Sequence, residues 1–203
     1  MCDNFSTSVF INCPYDPEYL PLMRALIFVI VYCGFTPRLA AERTDSGETR
    51  FDKIMELIEA CQYSIHDLSR VKAKKIGELY RLNIPFEIGL DLGCRKYKLP
   101  NKKCLVLEAS RHECQKALSD LAHVDLKHHD EDSESLIIAI RNWFSELGVD
   151  DLDGGAKIWN MYNYFWADFY SEREKAGFSH KEINNTTIPE FLKKIKPWIE
   201  KNS

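Results

Sequence analysis

The chain predicts a three-layer α/β domain: a flavodoxin-like parallel sheet of about five strands, covered by helices on both faces, with a helical C-terminal extension. Three observations predict it. Short β-rich runs such as SVFIN (8–12), YSIHDL (63–68) and KCLVLE (103–108) alternate with helical patterns, and such alternation demands a parallel sheet. A hydrophobic fraction of 45% over 203 residues is ample for a core on each face. The alternation stops near residue 148, where Asp150, Asp151, Asp153, Gly154 and Gly155 form an acidic hinge. The expected units are therefore an α/β domain over 1–148 and an aromatic-rich helical extension over 149–203.

Each element has its own signal. Ser8–Asn12 is a β-rich run stopped by Cys13-Pro14, and Tyr19–Cys33 is apolar all round, as a buried helix is. Gly34 closes that helix, and Thr36–Ala41 reads as a second strand. Thr49–Cys61 is amphipathic, with Phe51, Ile54, Leu57 and Ile58 on one side. Tyr63–Leu68 is the third strand, and residues 69–82 form a basic, polar surface connection. A helix is expected from Asn83, as its N-cap, with Pro85 tolerated in the first turn and Ile84, Ile88 and Leu92 as its buried stripe. Gly89 and Gly93 cost helix propensity, which predicts a close backbone neighbour. Lys103–Glu108 is the fourth strand, Arg111–Leu121 a helix, His123–Lys127 a short fifth strand, and Ser133–Leu147 an amphipathic helix ended by Gly148. The expected strand order is 2-1-3-4-5. Beyond the hinge, helices are expected over 156–176 and 187–201. The run IWNMYNYFWADFY carries too many rings for one stripe, so several are expected in water and a homo-oligomer is expected.

Composition narrows the function. A net charge of −4 argues against bulk electrostatic nucleic-acid binding, and the basic patches, Lys102 and Lys103 among them, read as solvated loops. The apolar run LIFVIVYCGF is too short to span a bilayer, and MCDNFSTS has no basic region leading into an apolar run, so no membrane partner and a cytoplasmic location are expected. Seven cysteines without a CxxC pair suit reduced thiols. The chain has no GxxxxGK[ST], GxGxxG or GxSxG. His128-His129-Asp130 matches no common metal spacing and reads as a solvated loop, so no metal site is expected.

In an open parallel sheet, ligands bind beyond the carboxyl ends of the strands, where strand order reverses. That edge should gather Asn12, Cys13, Pro14, Tyr15 and Asp16 from the first strand, and Glu42, Arg43, Thr44 and Asp45 from the second. Asp67 and Ser69 come from the third, leading on to Asn83 and Glu87. Each has a plainer reading: Asn12 and Asp16 as turn formers, Asp67 as a loop cap, Arg43 paired with Glu42 or Asp45. Arg50 and Asp52 read as first-turn helix residues. His66 alternates with Asp67, faces the other side of the strand, and is expected in the core. Glu87 is expected in a first helical turn, where the dipole favours its ionised form. It is either an ordinary helix-start acid or a fixed anion aimed into a cleft.

SVFINCPYDPEYLPLMRALIFVIVYCGFTPRLA, together with YSIHDLSR and NIPFEIGLDLG, resembles the nucleoside 2-deoxyribosyltransferase-like and TIR-like proteins over residues 8–148, and especially bacterial TIR-like proteins of anti-phage defence. The resemblance implies that Glu87 and Asp67 are catalytic, and that Asn12, Cys13, Pro14, Tyr15, Arg43, Ser69 and Asn83 bind substrate. It implies cleavage of the nicotinamide–ribose bond of NAD, by hydrolysis or to make a nucleotide signal, with NAD as substrate and no cofactor. It also implies an effector or sensor partner in such a defence system. Two alternatives stand beside it: a nucleoside or nucleotide 2-deoxyribosyltransferase or hydrolase, and a non-catalytic nucleotide-binding or assembly module. The segment Arg70–Leu82 and the aromatic extension depart from the minimal transferase pattern.

Overall fold

The computed structural model describes residues 4–43, 45–70, 82–112, 114, 118 and 124–202. Five strands, β1 (Ser8–Asn12), β2 (Thr36–Arg38), β3 (Tyr63–Asp67), β4 (Lys103–Glu108) and β5 (Lys127–His128), form one sheet in the order β2-β1-β3-β4-β5. Every neighbouring pair is parallel, with Ile11 opposite Ile65 and Ile65 opposite Leu105 in the central register. Order and class are those expected. Sheet order reverses between β1 and β3, so the polar loops after these two strands flank the switch point.

Strand alternation divides the core. Val9, Ile11, Ile65, Leu105 and Leu107 pack toward α1 (Leu20–Tyr32) and α4 (Ser133–Glu146). Phe10 faces α2 (Arg50–Ala60), while Val106 shares its cluster with Ile84 and Ile88 of α3 (Asn83–Tyr97). Leu22–Ile30 of α1 is buried throughout, as its all-round apolarity demands. Even Arg24 is buried there, its Nη2 donating to Asn184 O at 2.6 Å. Gly34 and Gly148 close α1 and α4 with φ of 86° and 83°, values a side chain would strain.

Several local expectations are corrected. The second strand ends at Arg38, because Leu39 leads into a 3-10 turn over Ala40–Glu42 whose start Glu42 caps through the Leu39 N–H. The fifth strand is Lys127–His128 rather than 123–127. Helix α3 begins at Asn83 without a side-chain cap, so Glu87 lies one full turn inside it. A Cβ at Gly89 or Gly93 would meet nothing within 4 Å, so neither glycine marks a close backbone approach. The expected surface connection over 69–82 and the expected helix over 111–121 lie largely outside the described residues.

The extension comprises α5 (Gly155–Lys175), α6 (His180–Asn184) and α7 (Ile188–Asn202). It closes over α1. Phe165 stacks on Phe28 at 5.4 Å and meets Phe191 and Trp198 at 5.5 Å each, so these rings join the core of that face. Ile158, Tyr162, Phe165 and Phe169 are buried, while Trp159, Met161, Trp166 and Tyr170 pack partly against them. Only Tyr164 of this aromatic run is largely in water, at 66% exposure. The expectation of several solvent-facing rings is corrected, because α1 and α7 cover two sides of α5 rather than one, and the argument for self-association loses that premise. No helix among the described residues is long and apolar enough to cross a membrane.

Phe165→Ala should lower the unfolding free energy by about 3–5 kcal/mol in urea titration, whereas Tyr164→Ser should change it by no more than about 0.5 kcal/mol.

Candidate functional site

The carboxyl edge of the sheet carries two polar assemblies, on opposite faces. Adjacent strand residues point to opposite sides, so His66 and Asp67 part company at the end of β3. Asp67 faces α1. It is fully buried and its oxygens are occupied: Tyr19 Oη donates to Oδ2 at 2.5 Å, His129 Nε2 lies 3.0 Å from the same oxygen, and Ser69 gives Oδ1 both its N–H (2.8 Å) and its hydroxyl. Burial alone would raise the Asp67 carboxyl, but the bonds from His129, Ser69 and Tyr19 outweigh it and hold it below the usual range.

His129 is corrected from the solvated loop it was expected to occupy. It is fully buried, and the Glu131 N–H donates to its Nδ1 at 3.1 Å, which leaves the ring proton on Nε2, directed at Asp67. Asp130 and Glu131 adopt φ of 51° and 55°, a left-handed pair uncommon outside glycine. The buried Arg70 pairs with Glu131 at 2.6 Å and Asp16 at 3.4 Å, so the loops after β1, β3 and β5 are tied by one guanidinium. Ser69 Oγ lies 2.9 Å from His129 Nε2, yet Asp67 approaches that same nitrogen rather than Nδ1. The trio is therefore no Ser-His-Asp relay, in which the carboxylate orients the far nitrogen of the ring.

The second assembly holds Glu87. A cleft of about 240 Å3 opens between the start of α2 and the start of α3, lined by Arg50, Phe51, Ile54, Asn83, Phe86, Glu87 and Leu90. Glu87 is only 5% exposed, while Phe51 and Phe86 at its mouth are 51% and 58% exposed. Their rings stand 6.4 Å apart at 37°. Arg50 Nη2 reaches to 3.9 Å from Glu87 Oε1 from the solvent side. Burial pushes the Glu87 carboxyl above the usual range, opposed by Arg50. The expectation that a helix start keeps Glu87 readily ionised is thus corrected: its setting is set by desolvation, not by the dipole of a first turn. Cys13 is buried in the core on the α1 side, where burial first, then Asp67, Asp16 and Glu87, raise its thiol; Tyr15 is 37% exposed.

The structure brings Asn83 and Glu87 into the cleft, whereas the exposed Tyr15 and the core residue Cys13 do not line it. It turns other expected residues elsewhere. Asp67 and Ser69 are consumed by each other, Tyr19 and His129. Arg43 is corrected too: its guanidinium pairs with Glu48 and, at 2.6 Å, with Glu56, not with Glu42, Asp45 or the cleft. Asn12 is buried, and its amide is spent on His66 and Ile84. Pro14 is buried in the loop between β1 and α1. Sequence reasoning read Arg50 only as a first-turn residue and Phe51 only as part of an apolar helix face, and gave Phe86 no role, whereas all three line the cleft. Phe51 and Phe86 each precede or follow a charged residue of the cleft, but nothing in a single chain shows that the two helix starts face one another.

His66, as expected, is in the core, but on polar terms. Its Nε2 lies 3.0 Å from Asp91 Oδ2, and Asp91 also pairs at 3.1 Å with Lys102, which is 1% exposed and therefore not the solvated cation expected. Ligand atoms of His66, Asp91 and Cys104 lie within 4.8 Å of one another, the one such group among the described residues. Lys102 already supplies a positive charge there, so the donor set does not fit a cation. No family model, curated protein or solved structure matches this chain.

Because folding raises the Glu87 pKa, its ionised form opposes folding: the stabilising contribution is full below the ordinary glutamate value of about 4.3 and lost as pH rises through the folded value. Glu87→Gln should therefore melt at the same or a higher temperature than wild type at pH 7, with the difference vanishing at acid pH. Asp67 behaves oppositely, giving stability above about 3.9 that is lost as pH falls through its depressed folded value. Asp67→Ala should cost about 3 kcal/mol at pH 7 by chemical denaturation, since Tyr19 and His129 lose an ionised acceptor.

Proposed function

We propose that the chain cleaves an N-glycosidic bond, with the nicotinamide–ribose bond of NAD as its target and Glu87 as the reacting carboxylate. One observation carries this reading: a buried carboxylate forms the floor of an apolar cleft whose mouth is framed by two exposed phenyl rings. A stacked planar base needs about 3.5 Å to each aromatic neighbour, the contact distance of carbon atoms. Rings 6.4 Å apart need only a slight spread to hold one between them. The cleft is smaller than the roughly 300–1,000 Å3 of pockets that enclose whole ligands. It suits a base and one sugar edge, leaving phosphates outside near Arg50.

The chemistry follows from charge. As the C1′–N bond breaks, its electron pair goes to the ring nitrogen, nicotinamide leaves neutral, and positive charge develops on C1′ and the ring oxygen. No general acid is required at that step. Ionised Glu87 beneath the sugar stabilises this charge or bonds to C1′, and water then adds at C1′ with release of a proton. Desolvation makes a carboxylate in such a cleft a stronger partner for developing positive charge than it is in water. Arg50 favours a phosphorylated substrate over a bare nucleoside, which sets NAD above the alternative of nucleoside 2-deoxyribosyl transfer. A role in anti-phage defence remains part of the proposal on the strength of the sequence resemblance.

Incubation of the purified chain with NAD, and separately with 2-deoxynucleosides, followed by mass spectrometry, tests the substrate. Free nicotinamide is expected from NAD alone. Glu87→Gln should reduce turnover by at least about 1,000-fold with the fold intact, a loss in the range seen when a key electrostatic group is removed. Arg50→Ser should raise KM for NAD and move the acid limb of the rate profile to higher pH, since a cation that lowers the Glu87 pKa is lost. Activity of Glu87→Gln within a few-fold of wild type overturns the reading.

A further inference from the structure

A chain of buried polar groups runs from the far end of α2 to the first turn of α3. Lys102 Nζ donates to Ile58 O at 2.6 Å and Cys61 O at 2.5 Å, capping the end of α2, and pairs with Asp91 Oδ1 at 3.1 Å. Two ammonium protons are held by these carbonyls, and the contact with Asp91 is an ion pair. Asp91 Oδ2 accepts from Ser64 Oγ and lies 3.0 Å from His66 Nε2. On the other side of the ring, Asn12 Nδ2 lies 3.1 Å from His66 Nδ1 and donates to Ile84 O at 3.2 Å. The chain thus grips α3 at Ile84 and at Asp91. Glu87 stands between these points, one turn before Asp91.

The atoms also set a proton. Ile84 O can only accept, so the Asn12 amide must turn its NH2 toward it, and the same NH2 then faces His66 Nδ1. Nδ1 is therefore an acceptor, and the ring proton sits on Nε2, directed at Asp91. Burial lowers the pKa of His66, while Cys104 and Asp91 raise it, to about 9 on balance. A second proton on Nδ1 would nevertheless meet the Asn12 N–H that Ile84 holds in place, so the hydrogen-bond geometry sets the tautomer. Buried ion pairs seldom repay their desolvation, and apolar replacements are often as stable. Such a chain contributes more to orientation than to net stability.

We propose that Asn12, His66, Asp91 and Lys102 are positioning residues that aim the Glu87 carboxylate, and that Asn12 does not touch substrate. The inference rests on Glu87 being the reacting group, but its physical core, the grip on the first turns of α3, is independent of any activity.

The experiment therefore has two arms on the full chain. In the first, hydrogen exchange is followed in wild type, Asn12→Ala and His66→Gln, and the wild-type imidazole 15N shifts are recorded at pH 7. Expected are a His66 ring protonated at Nε2 alone, and amides of residues 86–88 exchanging at least about tenfold faster in Asn12→Ala while those of α2 are unchanged; a tenfold change corresponds to about 1.4 kcal/mol of local opening. His66→Gln, which keeps a donor toward Asp91, should change the same amides less. Unchanged exchange in 86–88, or a wild-type ring protonated at both nitrogens, overturns the positioning chain whether or not the protein cleaves NAD. In the second arm, Asn12→Ala should lower kcat for NAD cleavage roughly 10- to 100-fold with KM within a few-fold of wild type, as misplacement of a reacting group does. A raised KM with kcat unchanged makes Asn12 a substrate contact and overturns the proposal. Absence of NAD cleavage in wild type defeats the functional reading alone, leaving the exchange arm to decide.

Discussion

At the carboxyl end of β3 two polar residues stand side by side, and a pleated strand cannot turn both to the same face. His66 goes to the side of α2 and α3, Asp67 to the side of α1. Each arrives in an interior without water, where an unpartnered polar group is costly, so each must recruit partners from whatever elements pack there. The two buried networks at this edge follow from that constraint. On one side Tyr19, Ser69 and His129 close on Asp67, and on the other Asn12, Asp91, Ser64 and Lys102 organise around His66.

The networks differ in what they leave free. Around Asp67 every acceptor is used and the loops after β1, β3 and β5 are pinned by Arg70, so this side behaves as a clasp. Around His66 the bonds end at Ile84, and the next turn of α3 presents Glu87 to a cleft where, among the described residues, Arg50 alone pairs with it, at 3.9 Å. A carboxylate left short of partners in a desolvated place is unfavourable for stability and useful for chemistry. That contrast, rather than the mere presence of two acids, sets Glu87 apart from Asp67.

The extension bears on the site only indirectly. Its rings complete the apolar layer over α1, the helix that carries Tyr19 at its entrance and thereby one of the donors to Asp67. On the opposite face, with α2 and α3, the exposed Phe51 and Phe86 frame the cleft, and no described residue of the extension covers them.

By itself the sequence determined the class of fold, the order of its elements and the strand edge where polar residues gather. These are written in local periodicity: strands alternate, buried helices are apolar all round, and a parallel sheet has only one end at which its polar loops converge with a switch point. Even the separation of His66 from Asp67 is a local fact. Only the tertiary structure decided which polar residues use up one another. Asn12, Arg43, Asp67 and Ser69 looked available, yet each is claimed by a partner far along the chain or around a turn, and Lys102 and His129 left the solvent they were expected to occupy. Arg50 and Phe51 joined the site because two helix starts, distant in sequence, face each other across the sheet edge. Hydrogen-bond capacity is short-ranged and saturable, so which donor meets which acceptor depends on ångström-scale packing that no periodicity encodes.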